Sequence, residues 1–216
     1  MINRKDIIDD ARRIVSYLCG DESISFSLIN KCELECLKKV NKQDLDFFYE
    51  SDPAADSKDE IKLTYPGYKA ILLYRLAHIL YKKNQKLEAR IITEYGHSRT
   101  GIDIHPGAEI SSPFFIDHGT GVVIGETTII GKNVRIYQGV TLGALSPALG
   151  QSIKGVKRHP TIKDNVTIYA GATLLGDISI GNNVVIGGGV FITQDIPDNS
   201  KVTSPKPILC IDSKID

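Results

Sequence analysis

The sequence predicts an α+β protein. A helical N-terminal domain spans 1–100, a parallel β-helix of hexapeptide repeats spans 101–203, and a short tail spans 204–216. Two observations carry this. In the second half, aliphatic residues recur at every sixth position: Ile104, Ile110, Ile116, then Ile124, Ile130, Ile136, Leu142, then Ile162, Ile168, Leu174, Ile180, Ile186, Ile192. In the first half, apolar residues recur at helical spacing. A six-residue period is neither 3.6 nor 2, so neither a helix nor an alternating strand explains it. It is the mark of a coil whose every turn has three sides.

The helices come first. Residues 10–18 carry an apolar stripe at Ile14, Val15 and Leu18, closed by Gly20. A second helix is expected over 25–49, with Leu34, Leu37 and Val40 on one face. A polar loop follows over 51–57. Further helices are expected over 68–82, with Ala70, Leu73, Ala77 and Leu80 on one side, and over 87–96. His78 reads as a packed helix residue, and His97 as part of a helix exit without a role.

The coil starts near Gly101. Four residues after most members of the row stands a second small or aliphatic residue, such as Ala108, Thr128, Val134, Val140, Val166 and Ala172. The repeat makes four to five turns. Asn133, Gly181, Asn183 and Gly187 to Gly189 suit corners that need positive φ. His105, before Pro106, reads as a corner residue. Pro197 is expected to end the pattern, with a polar tail beyond Ser204. Flat sides with surplus apolar surface imply side-by-side association.

Composition narrows the function. Formal net charge is zero, which argues against nucleic acid as a partner. The charged start and the lack of a long apolar run predict a cytoplasmic protein with no membrane contact. Four cysteines give no disulfide framework at this length. Cys32 and Cys36 lie one helical turn apart, and without further ligands they read as plain thiols and not as a metal site.

The repeat breaks twice, and both breaks hold histidine. Ile116 and Ile124 are eight apart, and the insertion reads Asp117-His118-Gly119-Thr120-Gly121. Between Leu142 and Ile162 a longer excursion ends in Lys157-Arg158-His159-Pro160. Asp103 lies fifteen residues before His118, just short of an eighteen-residue turn, and the bulge can swing His118 toward it. A carboxylate on one imidazole nitrogen fixes the tautomer, leaving the other free to take a proton from a hydroxyl. On spacing alone His118 is either such a base or a corner cap. Arg158 beside His159 suits a small carboxylate, or forms a solvated basic loop with Lys154, Lys157 and Lys163. Asp52 and Asp56 could hold an ammonium, or Asp52-Pro53 is simply a turn. No hydrolase elbow and no P-loop is present.

Taken together, several strings closely resemble the serine O-acetyltransferase family. They are Asp103-Ile104-His105-Pro106, Phe115 to Thr127 around Asp117-His118-Gly119, Gln138 to Gly143, and Lys157 to Ile162. Upstream, Asp52-Pro53-Ala54-Ala55, Tyr65-Pro66-Gly67-Tyr68 and Tyr74 to His78 match the family's helical segment. The resemblance covers roughly 52–207. It implies a left-handed coil, the known exception to right-handed parallel crossovers. It implies transfer of acetyl from acetyl-CoA to L-serine, giving O-acetylserine for cysteine synthesis, without a metal. By motif, His118 is the general base with Asp103 as partner. Asp52 and Asp117 hold the serine ammonium, and Arg158 and His159 its carboxylate. The coenzyme lies in a groove between subunits, near Gly143, Ala144, Ala170 and Gly188. A homotrimer, or two trimers paired into a hexamer, is implied, with L-cysteine as a feedback inhibitor.

The chain departs from the family where Ala144-Leu145-Ser146 follows Gly143 and the 146–156 segment is longer. It also ends in Ile215-Asp216 in place of an isoleucine tail, so a complex with O-acetylserine sulfhydrylase is not expected. The rivals are a sugar or xenobiotic O-acetyltransferase on the same β-helix, a zinc lyase and a non-catalytic scaffold. A zinc lyase would need three clustered histidines, and His105, His118 and His159 are scattered. A scaffold would not need the histidine-bearing breaks.

Overall fold

The computed structural model describes residues 4–18 and 27–205. Cys19, Gly20, Cys210 and the tail from residue 206 lie outside the described residues. The helices are α1 (Arg4–Leu18), α2 (Lys31–Ser51), α3 (Lys58–Thr64), α4 (Pro66–Lys82) and α5 (Lys86–Thr100). Local chemistry sets their ends. Asn30 and Glu33 form a reciprocal capping box at the start of α2. Ser57 caps α3, and Pro66 stands in the first turn of α4. Gly101, at φ 71°, closes α5 in the left-handed conformation.

The structure differs from the sequence reading at several bounds, and the second helix begins at Lys31 and not at 25. The first helix starts at Arg4, and the last runs on through His97 to Thr100. Helix α3 was unanticipated, because seven residues carry too little periodicity to register. Within the excursion, Pro147–Ile153 forms a 3-10 helix.

From Asp103 the chain winds into three parallel sheets. The first face stacks Asp103–Ile104, Val123–Ile124, Thr141–Gly143, Thr173–Leu175 and Phe191–Ile192. The second stacks Glu109–Ile110, Ile129–Ile130, Thr161–Ile162 and Ser179–Ile180. The third stacks Phe114–Ile116, Val134–Ile136, Thr167–Ile168, Val185–Ile186 and Lys201–Val202. The sixth-position aliphatics point inward and are buried, from Ile104 to Ile192. Pro197 does not end the coil: Lys201–Val202 still pairs with Val185–Ile186. A proline outside the paired segment removes no ladder donor.

The corner between the second and third faces carries an asparagine ladder. Asn133, Asn165, Asn183 and Asn199 all adopt φ near +60° (57° to 60°). Each side-chain amide donates to the next, at 2.9, 3.1 and 2.8 Å. Of the predicted corner residues, Asn133, Asn183 and Gly189 have positive φ, whereas Gly181, Gly187 and Gly188 do not.

The helices are fixed to the coil by a buried ion pair. Asp44 of α2 accepts from Arg75 Nε of α4 at 3.1 Å, from Ser112 Oγ at 2.9 Å and from the Phe114 N–H at 3.0 Å. Arg75 also donates to the carbonyls of Ile110 and Ser111. Aromatic packing adds to this, with Phe48 edge-on to Phe115 at 4.7 Å. Among the described residues no helix is long and apolar enough to cross a membrane.

Candidate active site

Two corners of the prism hold most of the residues singled out in the sequence. At the corner between the third and first faces, the two-residue insertion forms a tight turn. The Gly119 N–H donates to the Asp117 carbonyl at 2.6 Å, and His118 sits between them at φ 55°. Such a conformation in a non-glycine residue is held only by its surroundings. Gly119, at φ 83°, lies against Ile102 so closely that a Cβ would come within 2.4 Å of Ile102 Cδ1. The interior therefore clamps the turn and projects His118 outward, with 71% of its side chain exposed.

Helix α2 delivers Asp52 to this corner. Arg135 of the third face donates to Ser51 Oγ at 3.2 Å and lies over the Phe47 ring, which pins the helix end. Asp52 Oδ1 accepts from the Ala54 N–H at 2.8 Å, and Oδ2 from the Tyr65 hydroxyl at 2.6 Å. Asp52 forms a local turn, and its second oxygen is held toward Tyr65. The Asp52 hydrogen bond pushes the Tyr65 phenol well up, and Asp117 adds to it. Burial, then Asp117, raises Tyr137, with Asp52 contributing. Two carboxylates thus act on the same pair of phenols, a field that suits a cation. The Asp56 N–H donates to Glu60, and its side chain is exposed.

No hydrogen bond or ion pair joins His118 to Asp103 among the described contacts. His118 Nδ1 stands 3.8 Å from Asp117 Oδ1. Asp103 instead shares a cluster with Glu94 and His97 of α5, their ligand atoms all within 4.8 Å of one another. His97, read as a residue without a role, therefore borders Asp103, because α5 extends one turn further than predicted. Glu94 is also paired with Arg90.

The second corner, between the first and second faces, holds Arg158 and His159. The Thr127 N–H donates to His159 Nδ1 at 3.2 Å, and Thr127 Oγ1 lies 2.8 Å from the same nitrogen. Nδ1 is therefore an acceptor, and the proton of the neutral ring belongs on Nε2. Burial, reinforced by Arg158 and Lys157, lowers the His159 pKa to about 4. At neutral pH His159 is an uncharged donor. His105 shares this corner, its Nδ1 accepting from the Gly107 N–H at 3.0 Å, as a corner role requires.

Gly125 makes room for the His159 ring. A Cβ there would lie 2.1 Å from His159 Cδ2 and 2.2 Å from Nε2. Gly125→Ala is expected to displace the imidazole and raise KM for the substrate about ten- to hundredfold, the worth of one hydrogen bond to a charged group. Steady-state kinetics beside a melting curve checks this, and an unchanged KM removes His159 from the site.

The expected coenzyme residues divide between the corners. Ala144 lines a cavity of about 310 Å³ with Glu126, Gln151, Lys154 and Arg158, and Gly143 precedes it. Ala170 and Gly188 stack at the His118 corner, where the Gly189 N–H donates to the Ala170 carbonyl at 2.9 Å.

The chain is similar to known proteins in sequence and in fold. The family model described as Bacterial transferase hexapeptide (six repeats) matches residues 159–194. A serine acetyltransferase of Bacillus subtilis is 50% identical over 164 residues, covering 76% of this chain and 73% of that protein. The chain belongs to the serine acetyltransferase family. A plasmid serine acetyltransferase of Synechococcus elongatus is 55% identical over 170 residues, covering 77% of this chain but only 53% of that protein, so the chain spans about half of that family member. Solved serine acetyltransferases share the fold. Isoform 1 of Entamoeba histolytica, in complex with L-cysteine, gives a TM-score of 0.77 at 42% identity, covering 93% of this chain and 73% of that one. The enzyme of Neisseria gonorrhoeae, in complex with serine, gives 0.76 at 32%, covering 96% and 85%.

Proposed function

We propose that this chain transfers the acetyl group of acetyl-CoA to the hydroxyl of L-serine, as a cytoplasmic trimer whose product feeds cysteine synthesis. The observation that carries the reading is the split of complementary groups between two corners. Asp52 and Asp117 suit the ammonium beside His118, and Arg158 and His159 suit the carboxylate.

His118 turns from Asp117 to Asp103 and accepts the serine hydroxyl proton as the oxygen attacks the thioester carbon. A backbone N–H in the groove stabilises the oxyanion. The carbon–sulfur bond then breaks, and His118 returns the proton to the leaving thiolate. These residues do this without a metal.

The first-face strand Val123–Ile124 runs from one corner to the other, so one chain holds the half-sites at opposite edges. A neighbouring copy, offering its Arg158 corner to this chain's His118 corner, completes the pocket and closes the groove over Gly143, Ala144, Ala170 and Gly188. Threefold closure satisfies every subunit at once. L-cysteine carries the same charges with a thiol in place of the hydroxyl, so it competes with serine.

A thiol-release assay with L-serine, L-homoserine and L-threonine tests the chemistry, with serine preferred and millimolar cysteine inhibiting. Light scattering tests the assembly: about three times the 23.7 kDa chain mass is expected, or six where trimers pair. Equal rates with an amino sugar would favour the broader acetyltransferase reading. A fully active monomer would sink the shared pocket.

A further inference from the structure

We infer that Glu126, anchored to the helical domain by Tyr81, is a positioning residue that holds Arg158 ready for a substrate carboxylate. This rests on the reading of Arg158 as the carboxylate contact.

Both oxygens of Glu126 are engaged. Oε2 accepts from Arg158 Nη2 at 2.5 Å, and Oε1 accepts from the Tyr81 hydroxyl at 2.9 Å. Tyr81 stands in the last turn of α4, edge-on to His105 at 5.8 Å with Lys86 Nζ 5.2 Å over its ring. It is a braced donor, and it braces Glu126 in turn. Arg158 Nη1 donates to the Val156 carbonyl at 3.2 Å, and the Arg158 N–H donates to Thr127 Oγ1 at 2.9 Å. With the Nη2 bond to Glu126 and the Nη1 bond to Val156, two of the five guanidinium N–H groups are engaged among the described residues. Burial opposes ionisation of Glu126, but the hydrogen bonds from Arg158 and Tyr81 outweigh it and hold the carboxyl below its usual range.

Arg158 closes a long excursion, and its side chain would otherwise have to be ordered when the substrate arrives. Holding it beforehand removes that cost from binding. Glu126 also has an opposing influence, since its negative charge offsets part of the guanidinium's attraction. The two effects predict opposite signs. If positioning dominates, removing Glu126 weakens serine binding, and if charge offset dominates, removal tightens it.

The experiment compares L-serine with L-serine methyl ester, which lacks the anionic carboxylate, at saturating acetyl-CoA. The full-length wild type is set beside Glu126→Ala, Glu126→Gln, Tyr81→Phe and Arg158→Ala. For Glu126→Ala, serine KM is expected to rise about tenfold with kcat within about twofold, as expected for lost preorganisation. The preference for serine over the ester should fall by a similar factor, while KM for acetyl-CoA stays put. General loosening would move the ester and coenzyme constants as well. Glu126→Gln keeps an acceptor and should recover part of the loss. Tyr81→Phe keeps the packing and should raise serine KM about two- to threefold, so it carries the test if the alanine variant does not fold. An unchanged or lower serine KM in the folded Glu126 variants, or in Tyr81→Phe if those do not fold, overturns the inference, provided Arg158→Ala abolishes the ester discrimination. If Arg158→Ala leaves that discrimination intact, the carboxylate reading fails and takes this inference with it.

Discussion

Replacing His118 with alanine is expected to lower kcat by about 10²–10⁴, the usual loss for a general base, with KM for acetyl-CoA nearly unchanged. The structural ground is the way the turn is held. Its positive φ at His118 and the glycine pressed against Ile102 are backbone features that survive removal of the imidazole. The loss therefore reports on the ring itself. On the proposed mechanism, in which His118 turns to Asp103, Asp103→Asn should cost less, because the base itself would stay in place. Initial rates at saturating substrates across neutral pH decide both. An alanine variant with more than about a third of wild-type turnover would take His118 out of the mechanism.

Asp44→Ala is expected to be the most damaging substitution for stability. The carboxylate is 1% exposed, and its removal leaves the Arg75 guanidinium buried without its counter-ion. Breaking one half of such a pair costs about 3–5 kcal/mol. For a chain of this size that is a fall in Tm of about 6–20 °C. The same change strips an acceptor from Ser112 and from the Phe114 N–H, so the damage falls where the helices meet the first turn of the coil. Exposed Glu35, paired with Lys38 at 3.0 Å, is the control. Its alanine variant should stay within about 1 kcal/mol of wild type. Calorimetry of both variants checks the contrast, and equal melting temperatures would mean that the buried pair contributes nothing net.

The coil was legible because its interior admits one branched aliphatic residue at each sixth position, and the sequence prints that rule directly from Ile104 to Ile192. Asp117 and His118 were legible because they interrupt it. Tyr65, Tyr81 and Glu126 were not singled out, although Tyr65 and Glu126 stand inside the quoted motifs. Their importance is a matter of partners: Tyr65 meets Asp52 across 13 residues, and Tyr81 meets Glu126 across 45. No local period records such a meeting. Asp44 and Arg75 were hidden for the same reason, since charged residues inside amphipathic helices read as solvent-facing until the coil docks on them. The separation of Arg158 from His118 follows from the phase of the row, since Ile116 and Ile124 flank His118 and Leu142 and Ile162 flank Arg158.

The asparagine ladder has a consequence for how such a chain can change. Its rungs are separated by 32, 18 and 16 residues, yet each amide meets the next at the same corner. Position in the prism is thus indexed by corner and not by residue count, and the extra residues are carried outside the frame. Lengthening such an outlying loop costs little, with each doubling adding about 0.6 kcal/mol of closure entropy. The segment before Arg158 can therefore change length without shifting the frame, while its Val156 carbonyl and cavity-lining residues stay tied to Arg158.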